Sequence, residues 1–352
     1  MRLMIFPITK ESSAFARYDE MLVDYQSVAL VTLEGFGADG SDFMTIDGGG
    51  TSGKQISTNF HNELDKSDAI YFTAGAARLP SAFLKKFIEE AAAKNKRIYI
   101  DAALTTMELP EVEVLCSDNF TYDDTFSDET PEIFLIPIPV IFVYGTGPYT
   151  NKFEVQLALR KNFIDLGYSV SQVGTRKESQ FFGFSSLPDM FFNSQRTVKE
   201  TVVALNRYFY SKYLSEKPEV MIVGIPGGIT QVNPMRFEEM GDMAFLISQA
   251  ITPDLSILCS YGHGFSEDHM NWLNNICKYR LNSPVSHFVL SNTDATLSFE
   301  THESEYMTVP MDFLRNSCTS DPKLAIDFFY ALDKDSMKRL GSEVTKTLIY
   351  NL

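Results

Sequence analysis

Short apolar runs, each too brief to make a helix, alternate along this chain with longer segments of helical period. That alternation restricts the fold to parallel sheets covered by helices. In the first 130 residues, Leu3–Phe6, Val28–Leu33, Ile70–Thr73 and Arg97–Ile100 read as strands apolar on both faces, the pattern that buried parallel strands require. Between the last two, Ser81 to about Lys94 reads as a helix with Phe83, Phe87, Ile88 and Ala91 on one face. The alternation resumes with a strand at Val140–Tyr144 and a helix at Lys152–Leu166, whose stripe is Val155, Leu159, Phe163 and Leu166. Gly167 follows where a left-handed cap is expected. Further strands are expected at Tyr168–Val173, Val220–Gly224, Leu255–Ser260 and Ser286–Leu290, with helices at Thr197–Tyr213, Glu239–Ala250 and Ser266–Lys278. The tail containing Leu324, Phe328, Phe329 and Leu332 reads as helical.

The 352 residues exceed what one core normally holds, since single cores stop growing near roughly 250–300 residues. Two α/β domains are therefore expected: a Rossmann-like parallel-sheet domain at 1–130, a linker at 131–137, a second domain at 138–310, and a helical tail at 311–352 packed on the body. The linker is placed by Thr130-Pro131 and by Pro137 and Pro139 within the apolar run Ile133–Val143.

Composition narrows the partners. The chain is 44% hydrophobic and 22% charged, and no stretch approaches the ~20 apolar residues of a membrane helix. Met1 to Pro7 is too short for a secretory leader and is soon followed by Lys10 and Glu11, so a cytoplasmic location is expected. Cys116, Cys259, Cys277 and Cys318 are far apart, with no metal-binding spacing. A formal charge of −16 opposes attraction to nucleic acid. From Ile98 to Asn151 there is no Lys or Arg, while Asp101, Glu108, Glu111, Glu113, Asp118, Asp123, Asp124, Asp128, Glu129 and Glu132 all fall in that window. Such a run makes a solvated face or linker, or a docking patch for a basic partner.

The second domain carries the segment with chemistry in it. A phosphate cradle needs a strand, a glycine-rich turn whose N–H groups point inward, a lysine for the terminal phosphates, and a helix starting beneath the ligand. Val140–Tyr144 followed by Gly145-Thr146-Gly147-Pro148-Tyr149-Thr150-Asn151-Lys152-Phe153 supplies that order. Asn151 stands where the usual motif has glycine, and Asn reaches left-handed backbone angles more readily than most residues. Phe153 stands where a Ser or Thr hydroxyl would hold Mg²⁺. Val220–Gly224 leads into Ile225-Pro226-Gly227-Gly228 but ends in glycine where an acidic group would serve the metal. These two departures count against a metal site and against nucleotide hydrolysis more than against binding. Val289-Leu290 leads into Ser291-Asn292-Thr293-Asp294, where Asn292 or Asp294 could read a base.

Other features compete with these. Gly48-Gly49-Gly50-Thr51-Ser52-Gly53-Lys54-Gln55 fits the phosphate-loop spacing literally, but no good strand precedes it, and it reads as a plain loop. No G-x-G-x-x-G follows the first strand, which weighs against a dinucleotide in the first domain. His61, His263, His269, His287 and His302 form no obvious set. Phe181-Phe182-Gly183-Phe184 and Phe191-Phe192 read as core packing, with an apolar partner site as the alternative.

The segments Gly145–Arg160, Gly167–Gly174 and Val223–Gly228 together resemble the peptide maturation system proteins of clostridial natural-product clusters. In more distant terms, the second domain is similar to the dethiobiotin synthetase-like branch of P-loop NTPases. The resemblance implies a P-loop NTPase-like domain binding ATP or GTP, with Mg²⁺ put in doubt by Phe153 and Gly224. Phosphates would lie against Gly145, Thr146, Gly147, Thr150, Asn151, Lys152 and Phe153, and Asn292 would touch the base. Lys152 would stabilise charge on a transferred phosphoryl group were hydrolysis to occur. The implied partners are a Cys-rich precursor peptide made by ribosomes and a radical S-adenosylmethionine maturase. Two readings remain: a nucleotide-binding accessory protein of peptide maturation, or a non-catalytic scaffold with a degenerate nucleotide site.

Overall fold

The computed structural model describes residues 1–35, 37–105, 112–121, 132–192, 196–231, 233, 241–262, 266–298, 300–301, 303–319 and 328–351. By internal contacts the chain forms two compact units: Met1–Ser117 with Arg176–Gly183, and Asp118–Thr175 with Phe184–Leu352.

The first unit holds strands β1 (Arg2–Phe6), β2 (Ser27–Val31), β3 (Ile56–Ser57), β4 (Ala69–Phe72), β5 (Arg97–Ile100) and β6 (Glu113–Val114). They form one sheet in the order β3-β2-β1-β4-β5-β6, with every pairing parallel. This is the doubly wound, Rossmann-like order. Its helices are α1 (Ser13–Arg17), α2 (Met44–Asp47), α3 (Phe60–Asp65) and α4 (Ser81–Ala93). The stripe of α4 that packs inward is Leu84, Ile88 and Ala91. Phe83, expected on that face, is 45% exposed and instead meets Phe87 edge-on at 4.9 Å.

The second unit holds β7 (Val140–Gly145), α5 (Lys152–Asp165), β8 (Val170–Gly174), β9 (Ser185–Ser186), α6 (Val198–Glu216), β10 (Val220–Gly224), α7 (Asp242–Ala250), β11 (Leu255–Ser260), α8 (Glu267–Arg280) and β12 (His287–Leu290). There follow a hairpin of β13 (Thr293–Leu297) and β14 (Ser304–Thr308), then α9 (Met311–Thr319), β15 (Phe329–Tyr330) and α10 (Lys334–Asn351). The sheet order is β15-β12-β11-β7-β10-β8-β9, again all parallel, with β7 in the centre. Both units are thus parallel-sheet α/β folds.

Local chemistry sets the helix limits. Thr197 caps α6 through a reciprocal pair with Glu200, and Ser266 caps α8 by accepting from the His269 N–H. Gly167 takes the expected left-handed angle, φ +90°. Leu166, expected in the buried stripe of α5, is 56% exposed because the helix ends at Asp165, before the turn. The tail is not wholly helical. Phe329 and Tyr330 pair with the edge of β12, and α10 then packs on α5, where Asn162 donates to the Gly341 carbonyl at 3.2 Å. The main core lies between the sheet, α6 and α7, around Phe142, Tyr144, Tyr208, Phe209 and Met221.

Candidate phosphate-binding loop

The segment Thr146–Asn151 turns from the end of β7 into the first residue of α5, Lys152. It lies at the carboxyl end of the central strand, between β10 and β11. From there the chain runs outward to β8 on one side and later crosses to β11 on the other, so the loop sits at the switch point where open α/β sheets take ligands.

The loop is tightly curled. A β-carbon on Gly145 would fall 2.5 Å from the Thr150 hydroxyl and 2.7 Å from Cδ of Lys152. Two larger residues take left-handed angles, Tyr149 at φ 58° and Asn151 at φ 57°, at a cost of roughly 1–2 kcal/mol each. Asn151 fits the expectation from its side chain; Tyr149 gives no such sign in sequence. Both are held by bonds from distant residues. Thr293 donates its hydroxyl to the Tyr149 carbonyl at 2.6 Å, and Ser291 donates to Oδ1 of Asn151 at 2.6 Å. The Tyr261 hydroxyl donates to the Pro148 carbonyl at 2.9 Å. Within the loop, Thr150 donates to the Gly147 carbonyl at 3.0 Å.

This arrangement leaves backbone donors of the loop unpaired among the described residues. Gly147, Thr150 and Asn151 are buried, yet their backbone N–H groups have no acceptor among the described residues. The Thr146 hydroxyl, on a residue 6% exposed, is also without a partner, while its N–H donates to the Cys259 carbonyl. Buried N–H groups are almost always paired, and successive ones aimed into a concavity at a helix start form an anion site. Lys152 closes the cradle, its ammonium donating to the Gly227 carbonyl in close contact. Gly228, the next residue, packs against the loop: its β-carbon would lie 2.7 Å from the Thr146 carbonyl oxygen. Burial pushes the Cys259 thiol up to about 12, with Lys152 opposing that shift.

The donor set fits a phosphate and does not fit a magnesium ion. Phe153 is 4% exposed, its ring 5.7 Å from that of Phe184. At the end of β8, a β-carbon on Gly174 would touch the same Phe184 ring at 3.0 Å. At the end of β10, the side chain of Gln156 fills the space beside Gly224. Two aromatic rings and a neutral amide therefore stand where a hydroxyl and carboxylates would hold Mg²⁺. Among the described residues no three His, Cys, Asp or Glu side chains gather as a metal site.

Asn292, to which the resemblance gives a base contact, is wholly buried. Its neighbours Ser291 and Thr293 are the residues that reach the loop. Sequence reasoning missed both, together with Tyr261; their hydroxyls carry no motif and act only through tertiary placement.

The remaining candidates resolve as structure. In the glycine-rich segment at 48–55, the carboxylate of Asp42 accepts from the N–H groups of Met44, Ser52 and Gly53, and Lys54 pairs with Asp19 at 2.5 Å. At the switch point of the first unit, Thr73 donates to the Pro7 carbonyl at 2.7 Å, and a β-carbon on Gly75 would meet Thr9 at 2.6 Å. Thr73 and Gly75 thus lie in close contact with the segment that follows β1. Phe181 packs on Phe15, Tyr71 and Tyr99 within the first unit, as core. In the acidic window, Glu113 pairs with Arg97 at 3.0 Å and Asp118 with Lys212 at 2.6 Å. Its members between 106 and 111 and between 122 and 131, like His263 and His302, lie outside the described residues. His61 pairs with Glu90 at 2.8 Å, and burial lowers the pKa of His269 and of His287.

No family model matches the chain, and no curated protein matches it. Among solved structures, it resembles a DUF1611-family protein from Anabaena variabilis, at 10% identity over 82% of this chain and 87% of that one, with a TM-score of 0.51. A plasmid partition protein from Borrelia burgdorferi bound to AMPPNP is similar at 9% identity over 61% of this chain and 99% of that one, TM-score 0.36. A GTPase from Pyrococcus abyssi is similar at 15% identity over 62% and 98%, TM-score 0.35. The first likeness extends across most of both chains and is one of fold.

Proposed function

We propose that the protein binds ATP or GTP through the phosphates, at the loop from Gly145 to Lys152, without dependence on Mg²⁺. The observation that carries this reading is the set of buried N–H groups at Gly147, Thr150 and Asn151, without acceptors among the described residues, beside the Lys152 ammonium. No hydrolytic step is assigned, because the metal side of the loop is filled by Phe153, Phe184 and Gln156. The test is equilibrium binding of fluorescent ATP and GTP analogues, in magnesium and in EDTA, to the wild type and to Lys152→Ala. Charge-assisted bonds are worth roughly 1.5–3 kcal/mol, so the variant should bind about tenfold or more weakly, and EDTA should change little. Negligible binding by both proteins would sink the reading.

In the cell, we place this activity in the maturation of Cys-rich ribosomal peptides, with a precursor peptide or a radical maturase as partner, on the sequence resemblance alone. The scaffold alternative is favoured by one observation, the lysine tied to the Gly227 carbonyl. It requires that partner capture be unchanged in Lys152→Ala and indifferent to nucleotide; capture that rises with ATP or GTP would remove it.

A further inference from the structure

The carboxyl ends of β1, β2 and β3 in the first unit border a cleft of about 570 Å³, within the size range of pockets that enclose small organic ligands. All of its lining residues belong to that unit. Part of the lining is aromatic. Phe83 and Phe87 of α4 stand edge to face with ring centroids 4.9 Å apart, and Phe87 packs in turn on Phe6 at 5.0 Å and on Phe60 at 4.2 Å. Phe83 is 45% exposed and Phe87 is half-buried, so ring surface is left at the cleft. The rest is polar. The side chains of Glu34, just past β2, and of Lys86 on α4 make no ion pair or hydrogen bond among the described residues. The Thr32 hydroxyl, on a residue 5% exposed, likewise has no hydrogen-bond partner among them. His61 and Glu90 are already tied to each other at 2.8 Å, and Glu90 to Lys94 at 2.8 Å.

We propose that this cleft binds a purine nucleoside. A planar base can lie against the face of one phenylalanine and the edge of its neighbour, and stacking on aromatic rings holds a base without any charge. The unpaired groups are one carboxylate, one ammonium and one hydroxyl, a set suited to a neutral ligand that both donates and accepts hydrogen bonds. Topology assigns the sugar end. In doubly wound sheets of this strand order, an acidic residue roughly 20 positions after the turn that follows the first strand hydrogen-bonds the ribose. Glu34 stands at a comparable remove, just past β2. Lys86 and the Thr32 hydroxyl then supply donors for the ring nitrogens. The turn after β1, Pro7-Ile8-Thr9-Lys10, has no glycine, and a β-carbon on Gly75 would already meet Thr9 at 2.6 Å. A pyrophosphate has no glycine cradle there, so the ligand is a nucleoside and not a dinucleotide. The inference is independent of phosphate binding at the loop of the second unit.

The experiment titrates the full-length protein with adenosine and guanosine by ligand-observed NMR, each beside its 2′,3′-dideoxy counterpart, which keeps the base and lacks the ribose hydroxyls. At least one of the two nucleosides should bind, about tenfold or more tightly than its dideoxy form, because hydrogen bonds to a charged group are the strong ones. Glu34→Ala, at an exposed residue, should erase that preference and leave the weaker binding that the base provides. Phe83→Ala, which truncates a ring already 45% exposed, should weaken the nucleoside and its dideoxy form alike by about fivefold or more. Neither nucleoside carries a phosphate for the loop of the second unit, so Lys152→Ala should bind them as the wild type does. Binding of neither nucleoside, equal binding with and without the ribose hydroxyls, a preference that survives Glu34→Ala, indifference to Phe83→Ala, or loss in Lys152→Ala would each overturn the proposal. Binding of fluorescent ATP and its dependence on Lys152 would stand or fall separately.

Discussion

Gln156 occupies the space that a β-carbon on Gly224 would need, so helix α5 and strand β10 interlock at the point where an acidic group ends the corresponding strand of the usual motif. The amide is 1% exposed and donates to the Lys152 carbonyl at 3.1 Å. Gly224→Asp must push that side chain aside, and overpacking of this kind costs about 1–3 kcal/mol. Thermal unfolding should show a lower Tm for Gly224→Asp, partly restored when Gln156→Ala is added. A single variant melting with the wild type would mean that the amide yields freely and the interlock is unimportant.

Gly228 joins the turn after β10 to the loop, since its β-carbon would press on the Thr146 carbonyl oxygen at 2.7 Å and Cα of Gly147 at 3.2 Å. These are backbone atoms, which cannot swing away. Gly228→Ala should therefore weaken binding of fluorescent ATP by about tenfold. Gly167→Ala is the control: at φ +90° with nothing within 4 Å of the new carbon, it should cost roughly 1–2 kcal/mol of stability through strain and leave binding alone. Equal binding by the two variants would separate the turn from the loop.

The strands were legible because both faces are buried, which writes itself into sequence as unbroken apolar runs such as Val140–Tyr144. The loop was legible because an anion cradle needs glycine, lysine and a helix start in a fixed order. What escaped depends on distant residues. Tyr149 is held left-handed by the Thr293 hydroxyl, and nothing near Tyr149 in sequence foretells that bond. Phe329 and Tyr330 are too few to show a period, and only the free edge of β12 makes them a strand. Arg176–Gly183 lies between strands of the second unit yet belongs to the first, because Phe181 finds its aromatic partners there. A helix pattern also fixes a stripe only to within a neighbouring row, as Phe83 on α4 illustrates.

Three thiols divide by burial. Cys259 and Cys277 are buried, and burial pushes each up to about 12, so the reactive thiolate is scarce at neutral pH. Cys116 is exposed. Brief alkylation of the native protein at about pH 8, read by peptide mass mapping, should modify Cys116 well before the other two, which should react only on denaturation. Early modification of Cys259 would show that the sheet beside Lys152 opens readily.

Asp42 gives the acid side of the stability curve a specific cause. Burial acts to raise its pKa, but donation from the N–H groups of Met44, Ser52 and Gly53 and from the Ser52 hydroxyl outweighs it, and the carboxyl titrates below its ordinary value. A depressed carboxyl stabilises the fold fully above its unfolded pKa, near 3.9 for aspartate, and that contribution is lost as pH falls through the folded value. Asp42→Asn keeps the shape but turns an N–H donor towards at least one of these N–H groups. At about pH 7 it should lower unfolding stability by about 1 kcal/mol, allowing for partial exposure. As pH falls below the unfolded value and then through the lower folded one, the gap between variant and wild type in urea unfolding should narrow. A gap that stays constant from neutral to acid would assign the loss to packing of the 48–55 loop and not to the charge at its centre.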